Sequence, residues 1–186
     1  MAQNTFDKKE QSNKEQNHAG PIYIGLGANL PSGNLSPADT LRAAITAMEE
    51  AGFRLVRRSS FWTSPAWPDP SDPPYVNAVI EVETAQGPDE ILQRLHAIEA
   101  EFGRQRSVRN APRPLDLDLI DCRGLIREAP GPVLPHPRMA ERAFVLCPLA
   151  EIAPDWTHPK SGRALDSLIA ALPSADLSAT RLLQNN

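Results

Sequence analysis

Apolar side chains at Ile22, Ile24 and Leu26 recur with a period of two, which predicts a strand. The spacing then widens to that of a helical face at Leu41, Ala44, Ile45 and Met48. Ser36-Pro37-Ala38-Asp39 offers that helix an N-cap, a proline at its first position and an early carboxylate, and Gly52 ends it. A second strand is expected from Phe53 through Leu55 and Val56 to Phe61-Trp62. Pro65, Pro68, Pro70, Pro73 and Pro74 then forbid regular structure and predict a long but stiff loop. Val76, Ala78, Ile80 and Val82 alternate along a strand from Tyr75 to Thr84, so Tyr75 and Asn77 share its opposite face. Pro88 opens a second helix with Ile91, Leu95, Ile98 and Phe102 on one side, and Gly103 closes it. Leu115, Leu117 and Leu119 mark one more strand.

The order strand, helix, strand, strand, helix, strand is that of an α+β fold, the ferredoxin-like βαββαβ sandwich. Past it, residues 130–137 read as a second proline-rich loop, 143–149 as an extra C-terminal strand and 164–172 as a short helix. Residues 1–20 are polar and nearly free of large apolar side chains, which predicts a disordered N-terminal extension. One catalytic domain is expected over 21–175, with a C-terminal tail over 176–186.

A formal net charge of −4 argues against a surface built for non-specific nucleic-acid binding and favours small-molecule substrates. The sequence has no run of about eighteen apolar residues and no signal-like apolar N-terminus, so a cytoplasmic protein acting away from membranes is expected; a monomer is expected beside it. Cys122 and Cys147 form no C-x-x-C pair and read as packing residues.

Candidate chemistry concentrates in Arg113-Pro114-Leu115-Asp116-Leu117-Asp118-Leu119, where alternation sets leucines on one face and two carboxylates on the other. Side chains two apart on a strand are about 7 Å from each other, where two bare carboxylates repel by roughly 2 kcal/mol at an effective dielectric near 20. Mg²⁺ would relieve this, since it takes one or two carboxylates and completes its shell from water and phosphate. An isolated Asp-x-Asp is more often a plain half-exposed strand. Here Arg104, Arg106, Arg109 and Arg113 lie just upstream, and guanidinium groups beside such a site suit a polyphosphate; a solvated helix end is the alternative. Tyr75 and Asn77 can stack on a flat heterocycle and bond its edge, or form a covered sheet face. His136, between Pro135 and Pro137, is a rigidly held donor or a core histidine, and Arg142 and Phe144 are read as alternating on the extra strand. Gly25-Leu26-Gly27-Ala28-Asn29-Leu30 is no dinucleotide fingerprint, because Leu30 stands where its third glycine belongs, and the chain has no G-x-x-x-x-G-K-[ST] loop.

Four segments, Tyr23-Ile24-Gly25-Leu26-Gly27-Ala28-Asn29-Leu30, Ser59-Ser60-Phe61 with Tyr75-Val76-Asn77-Ala78, Pro112-Arg113-Pro114-Leu115-Asp116-Leu117-Asp118, and Pro135-His136-Pro137-Arg138-Met139 with Arg142-Ala143-Phe144, together resemble the 6-hydroxymethyl-7,8-dihydropterin pyrophosphokinase family. That resemblance implies transfer of the terminal pyrophosphoryl unit of ATP to the pterin hydroxymethyl oxygen, releasing AMP, in folate biosynthesis. It implies two Mg²⁺ on Asp116 and Asp118, with Arg104 and Arg113 as catalytic arginines. By the same matching the pterin contacts are Gly27, Ser64, Ala66, Trp67, Tyr75, Asn77 and Phe144. The ATP contacts are His96, Glu99, Arg106, Arg109, Leu119, His136 and Arg142. The chain departs from the family pattern at Asn110, where many members carry tryptophan, and at Gly131 and Val133, which replace polar residues. A palm-like nucleotidyltransferase would also set carboxylates on such a sheet, but has no need of a second ring sandwich; an RNA-recognition sheet would carry an aromatic-rich string that is missing here.

Overall fold

The computed structural model describes residues 20–67, 69–104 and 112–184. Strand β1 (Ile22–Ala28) leads into helix α1 (Pro37–Glu50), then β2 (Arg54–Arg58), β3 (Trp62–Ser64), β4 (Tyr75–Glu83), α2 (Pro88–Glu101) and β5 (Asp116–Cys122). A 3₁₀ turn at Met139–Glu141 precedes α3 (Ala143–Ile152), α4 (Leu165–Ile169), α5 (Ser174–Ala179) and β6 (Arg181–Leu182). The sheet runs β5-β1-β4-β3-β6, and β2 shares the edge of β4 with β3; every pairing is antiparallel. This is the ferredoxin-like arrangement, with the first and last strands of each half interleaved.

Both long helices form for the reasons their sequences give. The Ser36 hydroxyl accepts from the Asp39 N–H at 3.2 Å, and Pro37 occupies the first turn of α1. Gly52 adopts φ +89°, letting its N–H and that of Phe53 return to the carbonyls of Glu49 and Met48, which closes the helix. Leu41, Ala44, Ile45 and Met48 of α1, with Ile91, Leu95 and Ile98 of α2, bury against Ile24, Leu26, Ala78, Ile80, Leu117 and Leu119 on one sheet face. Removing one such leucine, Leu95→Ala for example, costs about 2–5 kcal/mol. The opposite face is covered over half its length by α3, where Val145, Leu146, Leu149 and Ile152 meet Tyr23, Val79 and Ile120. All seven residues of β1 are therefore buried. The uncovered half of this second face is where the candidate site lies.

Three expectations change. The continuous strand from Phe53 to Trp62 is broken into β2 and β3, because the Ser59 hydroxyl takes the Val79 N–H at 3.0 Å and so replaces a ladder carbonyl. Residues 143–149 are helical rather than extended. Their apolar run suits either state, but Val145, Leu146, Leu149 and Ile152 follow helical spacing, and Pro148 is poorly suited to an inner strand. The extra C-terminal strand is instead β6, within the expected tail: Arg181 and Leu182 pair with Thr63 and Trp62, and the Leu183 N–H reaches the Phe61 carbonyl at 2.8 Å. The short helix expected over 164–172 is confined to α4. Cys122 is fully buried and Cys147 half-buried, both as free thiols.

Candidate active site

Register across the sheet explains why β1 reads Gly25-Leu26-Gly27. Gly27 lies opposite Asn77 on β4 and Asp116 on β5, while Gly25 lies opposite Val79 and Asp118. A Cβ on Gly27 would sit 3.4 Å from Asn77 Oδ1, 3.7 Å from Tyr75 Cδ1 and 3.9 Å from the Asp116 Cβ. Gly27 thus keeps a trench open between the Tyr75–Asn77 side and the aspartate side, while Gly25 makes room for the Ile120 side chain, 3.2 Å from where its Cβ would stand. Above the trench is a cleft of about 360 Å³, within the size range of small-molecule sites.

Tyr75 and Asn77 extend from β4 into the cleft, which Phe144 also lines. The Asn77 amide donates to the Ser64 hydroxyl at 3.0 Å, fixing its orientation and leaving Oδ1 above Gly27. Ala66 and Trp67 of the proline-rich loop complete this side; Ala66 is buried and Trp67 is 63% exposed. Burial raises the Tyr75 pKa, so its hydroxyl stays protonated.

The aspartate side is dense with cations. Arg104 lies 2.5 Å from Asp116 Oδ1 and also pairs with Glu99. Arg113 reaches Asp116 Oδ2 at 3.3 Å, and Arg142 reaches Asp118 Oδ2 at 3.3 Å. Burial, followed by repulsion from Asp116, raises the Asp118 pKa against the pull of His136, Arg142 and Arg104. Burial works to lower the Arg113 pKa, but Asp116 and Tyr75 hold it above the ordinary value. His136 is pushed below its usual value by burial, against the attraction of Asp118. Its Nδ1 accepts the Arg138 N–H at 3.3 Å, so the neutral ring carries its proton on Nε2.

Most of the residues expected from sequence converge here, and some stand apart. Glu99 is 1% exposed and holds Arg104 and the Leu117 N–H (2.7 Å), which makes it an anchor for β5. The Leu119 side chain is buried in the helix-side core, so only its backbone, on the outer edge of β5 like that of Leu117, is open to a ligand. His96 is half-buried one turn before Glu99 on α2. Arg142 and Phe144 do share the cleft, but as the N-cap and second residue of α3 rather than as strand neighbours, with the Arg142 guanidinium 5.5 Å from the Phe144 ring centre. Arg106, Arg109 and Asn110 lie outside the described residues.

Sequence reasoning missed Asn29. Its side chain accepts the Arg113 N–H at 2.9 Å and donates to the Pro73 carbonyl at 3.1 Å, while the Asn29 and Leu30 N–H groups both reach the Arg113 carbonyl. Asn29 therefore ties the arginine segment and the proline-rich loop to the end of β1. The available signal was an amide directly after an all-buried strand. Arg138, Glu141, Asp176 of α5 and Thr180 just past its end also line the cleft without having been expected there.

Paired carboxylates ringed by guanidinium groups share this cleft, on a ferredoxin-like sheet, with Tyr75, Asn77 and Phe144, a donor set suited to a group-transfer enzyme. Residues 23–154 match the model of the 7,8-dihydro-6-hydroxymethylpterin-pyrophosphokinase (HPPK) family. The chain belongs to that family and is a pyrophosphokinase, a transferase. It is 43% identical over 148 residues to the 2-amino-4-hydroxy-6-hydroxymethyldihydropteridine pyrophosphokinase of Synechocystis, covering 78% of this chain and 73% of the relative. The Pseudomonas aeruginosa enzyme of the same name is 39% identical over 153 residues, covering 82% and 91%. Among solved structures, wild-type HPPK-DHPS of Plasmodium falciparum superposes with a TM-score of 0.60 at 10% identity, covering 81% of this chain and 44% of that longer one, a likeness of fold. Among the described residues, no helix is long and apolar enough to cross a membrane.

Proposed function

We propose that the enzyme transfers the terminal pyrophosphoryl unit of ATP to the hydroxymethyl oxygen of 6-hydroxymethyl-7,8-dihydropterin, releasing AMP and the pterin diphosphate in folate biosynthesis. The observation that carries this reading is the trench itself: Gly27 separates a ring slot built by Tyr75, Asn77 and Phe144 from the Asp116–Asp118 pair by a single strand. An acceptor ring on one side then presents its arm to a phosphate chain on the other.

Two Mg²⁺ on Asp116 and Asp118 fit the donor set, because Mg²⁺ takes one or two carboxylates and completes its shell from water and phosphate oxygens. When bound, the ions neutralise the phosphate chain and polarise it for attack. The protein's own share is positioning and charge. Tyr75 and Phe144 hold the ring between them and Asn77 reads its edge, which fixes the hydroxymethyl group over the trench. Gly27, Ser64, Ala66 and Trp67 shape that slot. Arg104 and Arg113 already lie against Asp116 and can turn to charge building on the transferring group, where preorganised donors contribute most. His136, through Nε2–H, and Arg142 offer further donors to phosphate. His96, Glu99 and the Leu119 backbone are assigned to the nucleoside side, and Arg106 and Arg109 to the polyphosphate. The catalytic unit is proposed to run from residue 21 to at least residue 182, as a cytoplasmic monomer.

Incubation with ATP, Mg²⁺ and 6-hydroxymethyl-7,8-dihydropterin, followed by chromatography of the nucleotides, tests the reading. AMP formed in step with pterin diphosphate is expected. ADP, or free pyrophosphate with nucleotide transfer to the acceptor, would reject it.

A further inference from the structure

We propose that Arg138 is a phosphate-recognising residue specific to the diphosphate borne by the ring substrate, held ready by stacking on Trp67; the inference rests on the pyrophosphoryl-transfer reading above. The other arginines lining or bordering the cleft are committed. Arg104, Arg113 and Arg142 each lie against Asp116 or Asp118. Arg138 pairs with no carboxylate among the described residues, and its guanidinium lies 5.4 Å from the centre of the Trp67 ring. Both residues line the same cleft as Asp116 and Asp118.

The base of Arg138 is tied down, while its head forms no ion pair among the described residues. Its N–H is bound to His136 Nδ1, the His136 N–H is bound to the Ile120 carbonyl at 2.8 Å, and Met139 beside it is fully buried. The side chain itself is exposed, as is Trp67. An exposed cation–π contact is weak, whereas a guanidinium facing phosphate oxygens forms paired, charge-assisted hydrogen bonds. A phosphate arriving near the indole therefore draws Arg138 away from it. Trp67 belongs to the loop that shapes the ring slot, whereas the Arg138 backbone is bound to His136, which interacts with Asp118, so the stacked cation lies between the ring's side of the cleft and the aspartate side. It meets phosphate once the diphosphate has been joined to the pterin. The pterin alcohol offers it no partner.

The test compares wild type with Arg138→Gln, Arg138→Lys and Trp67→Ala in the full chain, by calorimetric titration with 6-hydroxymethyl-7,8-dihydropterin and, separately, with its diphosphate. Arg138→Gln is expected to weaken diphosphate binding by about tenfold or more while leaving the alcohol within about twofold, as loss of a charge-assisted contact to one ligand only requires. Arg138→Lys should recover part of the loss, and Trp67→Ala, which also alters the ring slot, should weaken both ligands but the diphosphate by more. Equal weakening of both ligands, or an unchanged diphosphate affinity, overturns the proposal. A wild-type protein that forms no AMP would remove the parent reading as well, whereas active wild type with an unaltered Arg138→Gln removes this inference alone.

Discussion

Glu99 carries two assignments that a single substitution separates. Family resemblance puts it among the nucleoside contacts, whereas its geometry makes it the anchor of Arg104 and of β5. Its side chain is 1% exposed, pairs with Arg104 and accepts the Leu117 N–H at 2.7 Å. Glu99→Ala leaves that N–H without its acceptor, a loss of about 1–3 kcal/mol for a buried donor. It also strips Arg104 of one of its two carboxylates, and removal of one partner from a buried pair costs about 3–5 kcal/mol. Because Asp116 still faces Arg104, the combined loss should fall near 3–5 kcal/mol rather than at the sum of these terms. For a chain of this size each kcal/mol moves Tm by about 2–4 °C, so a fall of about 6–20 °C is expected. Glu99→Gln keeps an oxygen for the Leu117 N–H and should lose about half as much. Thermal unfolding followed by circular dichroism, with steady-state kinetics at 20 °C, is the assay. The anchor reasoning requires a lowered Tm together with a lowered kcat, since Arg104 loses its fixed position. A raised KM for ATP with Tm unchanged within about 2 °C would refute it and restore the nucleoside role.

Other consequences are more direct. Asp116→Asn and Asp118→Asn should each leave a folded protein with turnover lower by at least about a hundredfold, or about 2.7 kcal/mol of transition-state stabilisation; near-normal turnover at ordinary Mg²⁺ would reject the metal assignment. Tyr75→Ala and Phe144→Ala should weaken pterin binding by about 1–3 kcal/mol each, and Asn77→Ala similarly, with ATP affinity nearly unchanged; equal losses for both substrates in a titration would point elsewhere. His136 is held neutral by burial, so its folded pKa lies below the unfolded value of about 6.5, and the stability this implies is present above that value and lost as pH falls from it toward the folded pKa. His136→Gln should flatten this acid-side loss in urea melts between about pH 7 and 5, and an identical pH slope in the variant would contradict it. Burial raises the Cys122 thiol to about 11, and raises that of Cys147 as well, so iodoacetamide at neutral pH should label Cys122 only on unfolding; rapid labelling in the native state, read by peptide mass, would count against the packing.

The helix-side layer was legible because its signals are local. Ser36-Pro37, Gly52, Pro88 and the spacings of Leu41 to Met48 and Ile91 to Ile98 each act within a few residues, and they form the elements they specify. The same holds for the aspartate strand, whose leucines are all buried on one face. Sequence was silent or misleading where the partner is distant. Residues 143–149 are apolar enough for strand or helix, and only the uncovered second face of the sheet decides that a helix lies there. The Ser59 hydroxyl breaks β2 from β3 through Val79, twenty residues away, which no local pattern signals. Asn29 escaped notice because its partners, Arg113 and Pro73, lie on segments whose proximity only the fold reveals.

Electrostatics ties the fold to the proposed chemistry. Two aspartates on one strand face would destabilise the ligand-free protein, and the chain offsets this with its own guanidinium groups, Arg104 and Arg113 at Asp116 and Arg142 at Asp118. These are the same charges that a polyphosphate requires. On the proposed reading, Asp116 and Asp118 would hold the cations that accompany ATP, which would free Arg113 and Arg142 to turn to its phosphates. Neither state leaves a buried charge without a partner, so the site avoids the several kcal/mol that such a charge costs. The exchange needs the arginines to pivot about fixed bases, and the chain fixes them accordingly. Asn29 clamps the backbone of Arg113, and Arg142 stands at the N-cap of α3, where its carbonyl receives the Val145 and Leu146 N–H groups at 3.1 and 3.0 Å; the Arg104 guanidinium, held by Glu99, stays in place. A site prepared in this way pays little reorganisation at the moment of transfer, which is where preorganised charge has its largest effect on rate.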